Sequence, residues 1–348
     1  MFMRIAVDAM GGDFAPGSTV AGAIEAAGVF PEMTKIILVG DKAAIRREYA
    51  FQKHIPENIE ICHASEVVGM DESPVIAIRR KKDSSISRAI DLVKSGEAHA
   101  MISAGNTGAV MAAAKLKLRT IEGIERPAIA AVMPTPVKPF VLIDAGANTE
   151  CSPALLYQFA VMGSIYAREI LNRPTPLVGL MSVGSEESKG NDVTKEAFQL
   201  LDKSSLNFKG NIEGHDLFKG EIDVVVCDGF VGNVILKTSE SVAHAVGMWI
   251  KSEFVGNLLR KMGALLLTGA IRVMKRRIDP EMYGGAPLLG VNGICIITHG
   301  SSSARAIYHA IRVAGESVSH DINHLITNTI ISTGVPSRNI SMRSESGN

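Results

Sequence analysis

Residues 3–13, MRIAVDAMGGD, decide how the rest of this chain is read. Residues 4–7 form an apolar-rich run of the kind that makes a strand covered on both faces. Gly11 and Gly12 follow, and without a Cβ the main chain there can pass close to its neighbours. Asp8 and Asp13 flank the turn, and a helix is expected from near Pro16 to Val29, capped by Asp13 or Ser18. A strand that feeds a small-residue turn and then a helix is the building unit of a parallel α/β sheet.

The unit recurs along the chain. Apolar runs at 35–39, 100–103, 140–143, 177–183, 222–227 and 294–298 each end in a small-residue loop. Helical patterns follow at 43–49, 109–118, 153–171, 193–201, 231–249 and 304–317. The pattern predicts a three-layer α/β/α fold with a large, mostly parallel sheet, whose ligands gather at the carboxyl ends of strands. No internal repeat or low-complexity linker divides the chain. We therefore expect one α/β catalytic body over residues 1–336, in which two lobes would meet at the four-proline stretch 126–139, and a polar tail over 337–348.

Composition narrows the function. The chain has 348 residues, 46% of them hydrophobic, enough for a large core. Lysine plus arginine equals aspartate plus glutamate at 36 each, so no global charge draws it to nucleic acid. Cys62, Cys151, Cys227 and Cys295 are scattered without metal-ligand spacing, which predicts reduced thiols in a cytoplasmic protein and no metal. The N-terminus has no signal-peptide pattern, and no apolar run reaches the roughly 20 residues that span a bilayer.

Five strand-end loops share one composition: SAGNTG (103–108), DAGANTE (144–150), VGSEESKGND (183–192), DGFVGN (228–233) and HGSSS (299–303). Each offers backbone N–H groups at a helix start, where an anion is favoured. Gly, Ser and Asn are also ordinary turn and cap residues, and what distinguishes these loops is the expectation that all five converge at one sheet edge. Lys189 is their only fixed cation, flanked by Ser188 and Gly190. A lysine in a Ser/Gly loop suits a tetrahedral oxyanion, because its rotatable donors follow the charge while amides fix it. The Walker pattern, GxGxxG after strand one, GxSxG and HExxH are all missing, which leaves no support for a nucleotide cofactor, a serine elbow or a zinc site. His215 and His299 lie nearest the loops, and His309, His320 and His324 read as surface helix residues.

Residues 254–278 carry a second signal. Leu258, Leu259, Met262, Leu265 and Leu266 share one helical face, and the face changes beyond Gly269, which predicts two short amphipathic helices broken near Thr268-Gly269. Arg260, Lys261, Arg272, Lys275, Arg276 and Arg277 supply six cations. A packed helical hairpin accounts for this equally well as a peripheral contact with anionic membrane or an acidic carrier protein.

MGGD, ISAGNTGA, LIDAGANTEC, SVGSEESKGN, CDGFVGNVILKTSE and YGGAPLLGVNG, in this order, together resemble the fatty acyl carrier protein:phosphate acyltransferases, the PlsX family. The resemblance spans residues 3 to about 315. It implies the phosphotransacetylase/isocitrate dehydrogenase-like fold, a homodimer, no cofactor, and transfer of a long-chain acyl group from acyl carrier protein to inorganic phosphate. The acyl phosphate would then serve a membrane glycerol 3-phosphate acyltransferase in phospholipid synthesis, which implies a cytoplasmic protein peripherally attached to the membrane. A phosphotransacetylase-like enzyme using acyl-CoA and a nonenzymatic membrane scaffold are the alternatives. For the leading reading we expect Lys189 on phosphate, Asn233 or Asn106 on the thioester oxyanion, and Asp228 orienting Lys189 or Asn233. Gly11, Gly12, Asp13, Ser103, Gly105, Thr107, Asp144, Asn148, Ser185, Ser188, Gly229 and Gly232 are expected to line the same pocket.

Overall fold

The computed structural model describes residues 3–29, 34–277 and 279–333. Among them the strands are β1 (Met3–Asp8), β2 (Thr34–Gly40), β3 (Ile59–His63), β4 (Ala100–Ser103), β5 (Ala128–Met133), β6 (Phe140–Ile143), β7 (Val178–Met181), β8 (Phe208–Ile212), β9 (Val224–Val226), β10 (Ala286–Leu289) and β11 (Ile294–Ile297). They form one 11-stranded sheet in the order β3-β2-β1-β4-β11-β10-β5-β6-β9-β7-β8. The helices are α1 (Gly17–Val29), α2 (Lys42–Tyr49), α3 (Pro74–Arg80), α4 (Ser85–Lys94), α5 (Thr107–Lys117), α6 (Pro153–Glu169), α7 (Asp192–Asp202), α8 (Gly229–Val255), α9 (Leu258–Leu266), α10 (Thr268–Arg277), α11 (Ala304–Ser319) and α12 (Ile322–Thr333).

Strand alternation builds the three layers. In β1 and β2, Ile5, Val7, Ile36 and Leu38 face α1 and α11, while Ala6, Ile37 and Val39 join the core under α4 and α5. In β6 and β9, Val141, Ile143, Val224 and Val226 face α6, and Phe140, Leu142 and Val225 point the other way. Because the sheet is covered on both faces, these strands read as continuous apolar runs. Helix α6 lies so deep that residues 155–167 are all buried.

The sheet is mostly parallel, with three antiparallel pairings, β11–β10, β10–β5 and β5–β6. Two hairpins cause them. The connection 290–293 is too short for a crossover helix, and Gly290 sits at φ +88°. The prolines of 134–139 deny helix, and Thr135 Oγ1 accepts the Val137 and Lys138 amides to close the second turn. The result is a ladder whose halves run in opposite senses: β3, β2, β1, β4 and β11 one way, β6, β9, β7 and β8 the other. The four-proline stretch thus forms β5 and the reversal into β6. The tail 337–348 lies outside the described residues.

The antiparallel halves correct one expectation directly. The five loops do not leave one edge of the ladder. SAGNTG and HGSSS leave with MGGD at the carboxyl ends of β4, β11 and β1, whereas DAGANTE, DGFVGN and VGSEESKGND leave at the carboxyl ends of β6, β9 and β7, the opposite edge.

Candidate active site

The first row of loops is built on Asp8. Its carboxylate, almost fully buried, accepts the Ser103 hydroxyl (2.6 Å) and the Met10 amide (3.1 Å), and Ser103 Oγ in turn accepts the Gly105 amide (3.0 Å). Burial pushes the Asp8 carboxyl up, and hydrogen bonds from Ser103 and Ser85 oppose the shift. Gly11 is required by contact: a Cβ there would stand 2.5 Å from Asp8 Oδ2 and 2.6 Å from the Gly105 amide nitrogen. Gly12 packs against Gly300, whose carbonyl accepts the Asp13 amide (2.7 Å), so MGGD and HGSSS are stitched together. Asp13 and Thr107 are exposed.

Asn106 takes a different role from the one expected of it. Its Oδ1 caps α5 by accepting the Ala109 amide (3.0 Å), and its Nδ2 lies within hydrogen-bond distance of the carbonyls of Gly69, Met70 and Glu72. Both ends of the amide are committed to holding loop 69–72 against α5, which removes Asn106 from the oxyanion role.

The second row is built on Asp144, which is fully buried. Oδ1 accepts the amides of Ile129 (3.1 Å), Gly146 (3.1 Å) and Ala147 (2.9 Å), and Oδ2 accepts both the amide and the Nδ2 of Asn148 (2.6 and 2.9 Å). Desolvation raises its pKa against these five donors. Asn148 also donates to the Pro127 carbonyl (2.8 Å), and its own carbonyl accepts the Gly229 amide (2.7 Å), tying DAGANTE to DGFVGN. Gly229 and Gly232 are buried beneath that loop. A Cβ at Gly232 would lie 1.9 Å from the Asp144 carbonyl oxygen.

Asp228 is the N-cap of α8, accepting the Val231 amide (2.8 Å). That bond, rather than one to Lys189 or Asn233, is the role the geometry gives its carboxylate. Asn233, one turn into α8, is exposed and stands beside Gly146, where a Cβ would approach its side chain to 3.5 Å. Ser185, Ser188 and Lys189 are all exposed on the loop after β7. Lys189 makes no ion pair among the described residues, and its amide bonds back to the Glu186 carbonyl (3.0 Å). Since β9 lies between β6 and β7, the first turn of α8 with Asn233 and the loop with Lys189 follow neighbouring strands of one row.

The thiols and imidazoles add no nucleophile. Burial pushes Cys151 and Cys295 up to about 12 and raises Cys62 and Cys227, so none is a thiolate near neutrality. His299 sits in the first row against Ser301 Oγ (2.7 Å), and His215 is exposed beside Asp216. His309 is half-buried on α11 rather than on the surface. Burial, with Arg312 and Arg305 nearby, lowers its pKa.

Sequence reasoning missed Asn211. It lies on β8, is 7% exposed, and donates from Nδ2 to the Glu186 carbonyl (2.9 Å), bracing the Lys189 loop from below. Its segment, FKGNI, carried no strand pattern, so nothing in the sequence placed it under that loop.

Residues 254–277 hold the end of α8, then α9 and α10, with the break at Leu267, one residue before the expected Thr268-Gly269, and residue 278 lies outside the described residues. Leu259, Leu265 and Leu266 are largely exposed, Leu266 at 88%, as are Arg260, Lys261 and Arg272. Glu253 pairs with Arg260. The side chains of Leu258, Lys275, Arg276 and Arg277 lie outside the described residues. No helix among the described residues is long and apolar enough to cross a membrane.

An α/β/α body with this mixed sheet has the fold of the phosphotransacetylases. A phosphotransacetylase from Streptococcus pyogenes superposes with a TM-score of 0.61 at 19% identity, covering 91% of this chain and 94% of that one. The EutD phosphotransacetylase from Staphylococcus aureus gives 0.56 at 15% identity, covering 91% and 94%. Sequence carries the assignment further. The family model described as "Fatty acid synthesis protein" matches residues 3–325. A phosphate acyltransferase of Pelotomaculum thermopropionicum is 51% identical over 333 residues, 96% of each chain. That of Geobacter sulfurreducens is 49% identical over 323 residues, 92% of each. This chain belongs to that family, the PlsX family of phosphate acyltransferases, and is an enzyme.

Proposed function

We propose that this enzyme transfers a long-chain fatty acyl group from acyl carrier protein to inorganic phosphate. The observation that carries the reading is Lys189, an exposed cation without an acidic partner among the described residues, on the loop after the strand next to the one whose following helix carries Asn233. Phosphate needs little activation, being already an anion at neutral pH, but it must be bound and aimed. In this reading Lys189 and the amides around Ser185 and Ser188 hold monohydrogen phosphate, one of whose oxygens attacks the thioester carbon. Asn233 donates to the oxyanion that forms. The C–S bond then breaks, and the proton carried by phosphate passes to the departing thiolate, leaving acyl phosphate and the free thiol.

The first row, with Gly11, Gly12, Asp13, Ser103, Gly105 and Thr107, forms the opposite wall. Six strand steps separate β1 from β9. A twist of roughly 20–25° per step amounts to about 120–150°, which turns the carboxyl ends of two antiparallel strands back toward one side. Sheet twist therefore supports a shared cleft although the ladder separates the rows.

Arg260, Lys261 and Arg272 suit an acidic carrier, and the exposed leucines beside them suit the interface of an anionic membrane. There the acyl phosphate would be consumed by a membrane glycerol 3-phosphate acyltransferase. The exposed stripe of α8, Phe230, Val234, Val242, Val246 and Trp249, suits burial against a second copy in a homodimer. Acyl-CoA as donor is the second reading, favoured by the phosphotransacetylase fold. Acyl phosphate formation with carrier-protein and coenzyme A thioesters offered in parallel decides between the two. Lys189→Ala and Asn233→Ala should lower kcat/KM for phosphate at least about 100-fold in folded protein, and a near-native value would remove them from the site.

A further inference from the structure

Asn211 is a buried amide where an edge strand would ordinarily bury a hydrocarbon. At 7% exposure it makes one hydrogen bond, from Nδ2 to the Glu186 carbonyl (2.9 Å), while Oδ1 is buried without a partner among the described residues. Burying an amide costs free energy unless its groups are paired, so a half-satisfied asparagine is a poor choice for stability alone. The bond it does make is informative. The Glu186 carbonyl also accepts the Lys189 amide (3.0 Å), so a single oxygen joins Asn211 to the turn on which Lys189 stands. The one other side-chain tie on that turn among the described residues runs from Gln199 Nε2 to Glu187 Oε1 between exposed residues, and Val183 and residues 185–189 are exposed. Its base is fixed by the Ser182 amide on the Ile212 carbonyl (2.9 Å), one residue from Asn211.

We propose that Asn211 is a positioning residue for the phosphate site, setting the Ser185–Lys189 turn through the Glu186 carbonyl without touching substrate. The inference rests on the reading of Lys189 as the phosphate-binding cation. An interaction that serves the bound phosphate equally in the ground and transition states appears in KM rather than kcat. Loss of the brace therefore acts selectively on phosphate.

Steady-state kinetics of the full-length enzyme, with inorganic phosphate and the acyl thioester varied in turn, provide the test. Asn211→Ala and Asn211→Leu both remove the donor without adding charge, the second with a similarly branched side chain, so one folded variant suffices. The expected result is a KM for phosphate raised at least about tenfold, with the KM for the acyl donor and kcat within about threefold of the parent. An unchanged KM for phosphate, an equal rise in both KM values, or a fall in kcat alone overturns the assignment. Lys189→Ala measured alongside separates the two levels: if it leaves the KM and turnover for phosphate intact, the reading of the site itself fails. If it disrupts them while Asn211 variants behave as the parent, only the brace is refuted.

Discussion

Asp8 and Asp144 end the strands β1 and β6 in the same way, buried at the base of a small-residue loop, yet they are built to different tolerances. Asp144 is surrounded by N–H donors on both oxygens, five in all, drawn from β5 and from its own loop. Asp8 instead meets two hydroxyls, those of Ser103 and Ser85, beside the amides of Met10 and Gly11. A hydroxyl can rotate to accept instead of donate, while an amide N–H cannot. The second row is thus specified by a carboxylate that accepts on both oxygens, and the first, with hydroxyl partners, is the more adaptable. On the function proposed above, the stiffer row is the one that would aim phosphate.

The comparison can be broken by substitution. Gly232→Ala forces a Cβ onto the Asp144 carbonyl and should cost on the order of 4 kcal/mol in denaturant unfolding. Gly11→Ala meets its neighbours less closely and should cost about half as much, on the same order-of-magnitude scale. The reverse order would show the first row to be the stiffer. Next in size, Asp144→Asn sets an amide NH₂ against N–H donors whichever way it turns, for a loss of about 3 kcal/mol. Asp8→Asn, with Ser103 free to reorient, should lose about 1 kcal/mol. Equal losses would remove the distinction.

A smaller effect is a pH dependence. Burial raises the Asp8 carboxyl above its ordinary value of 3.8. Between that value and the raised one the folded state binds a proton that the unfolded chain does not, so this group's contribution to stability grows as pH falls through the window. The margin of the parent over Asp8→Asn should therefore widen from pH 7 toward pH 4 in urea titrations. A margin independent of pH would mean that Asp8 titrates alike in both states. Smallest of all, Lys189→Ala should change stability by less than about 0.5 kcal/mol, since its side chain is exposed. A larger loss would make the loop structural.

What the sequence discloses follows from how local each property is. Strands β1, β4, β6 and β9 are legible because burial on both faces gives them an unbroken apolar run and small residues follow it. The edge strands β3 and β8 and the proline-bearing β10 are not: IEICH and FKGNI are half-exposed, and APLL has no alternation to read. Helix α4 hides behind the charges of KKDSS. Strand direction is written in no local pattern, and the two hairpins that set it parted the five loops. Asn106 and Asn233 look equivalent in sequence, but one directly precedes a helix and caps it, and the other lies a turn inside one. Position relative to the helix start was the available clue.

Helix α8 runs for 27 residues, about 40 Å at the usual rise, and only Gly229 and Gly232 of it are buried. It is therefore a lever with its fulcrum in the second row. The Asp144 carbonyl bears on it at Gly232, one residue before Asn233, and the opposite end runs on to the apolar hairpin. A stiff rod clamped at one end delivers any load on its tip to the clamp. Whatever seizes α9 and α10 thereby acquires mechanical purchase on Asn233.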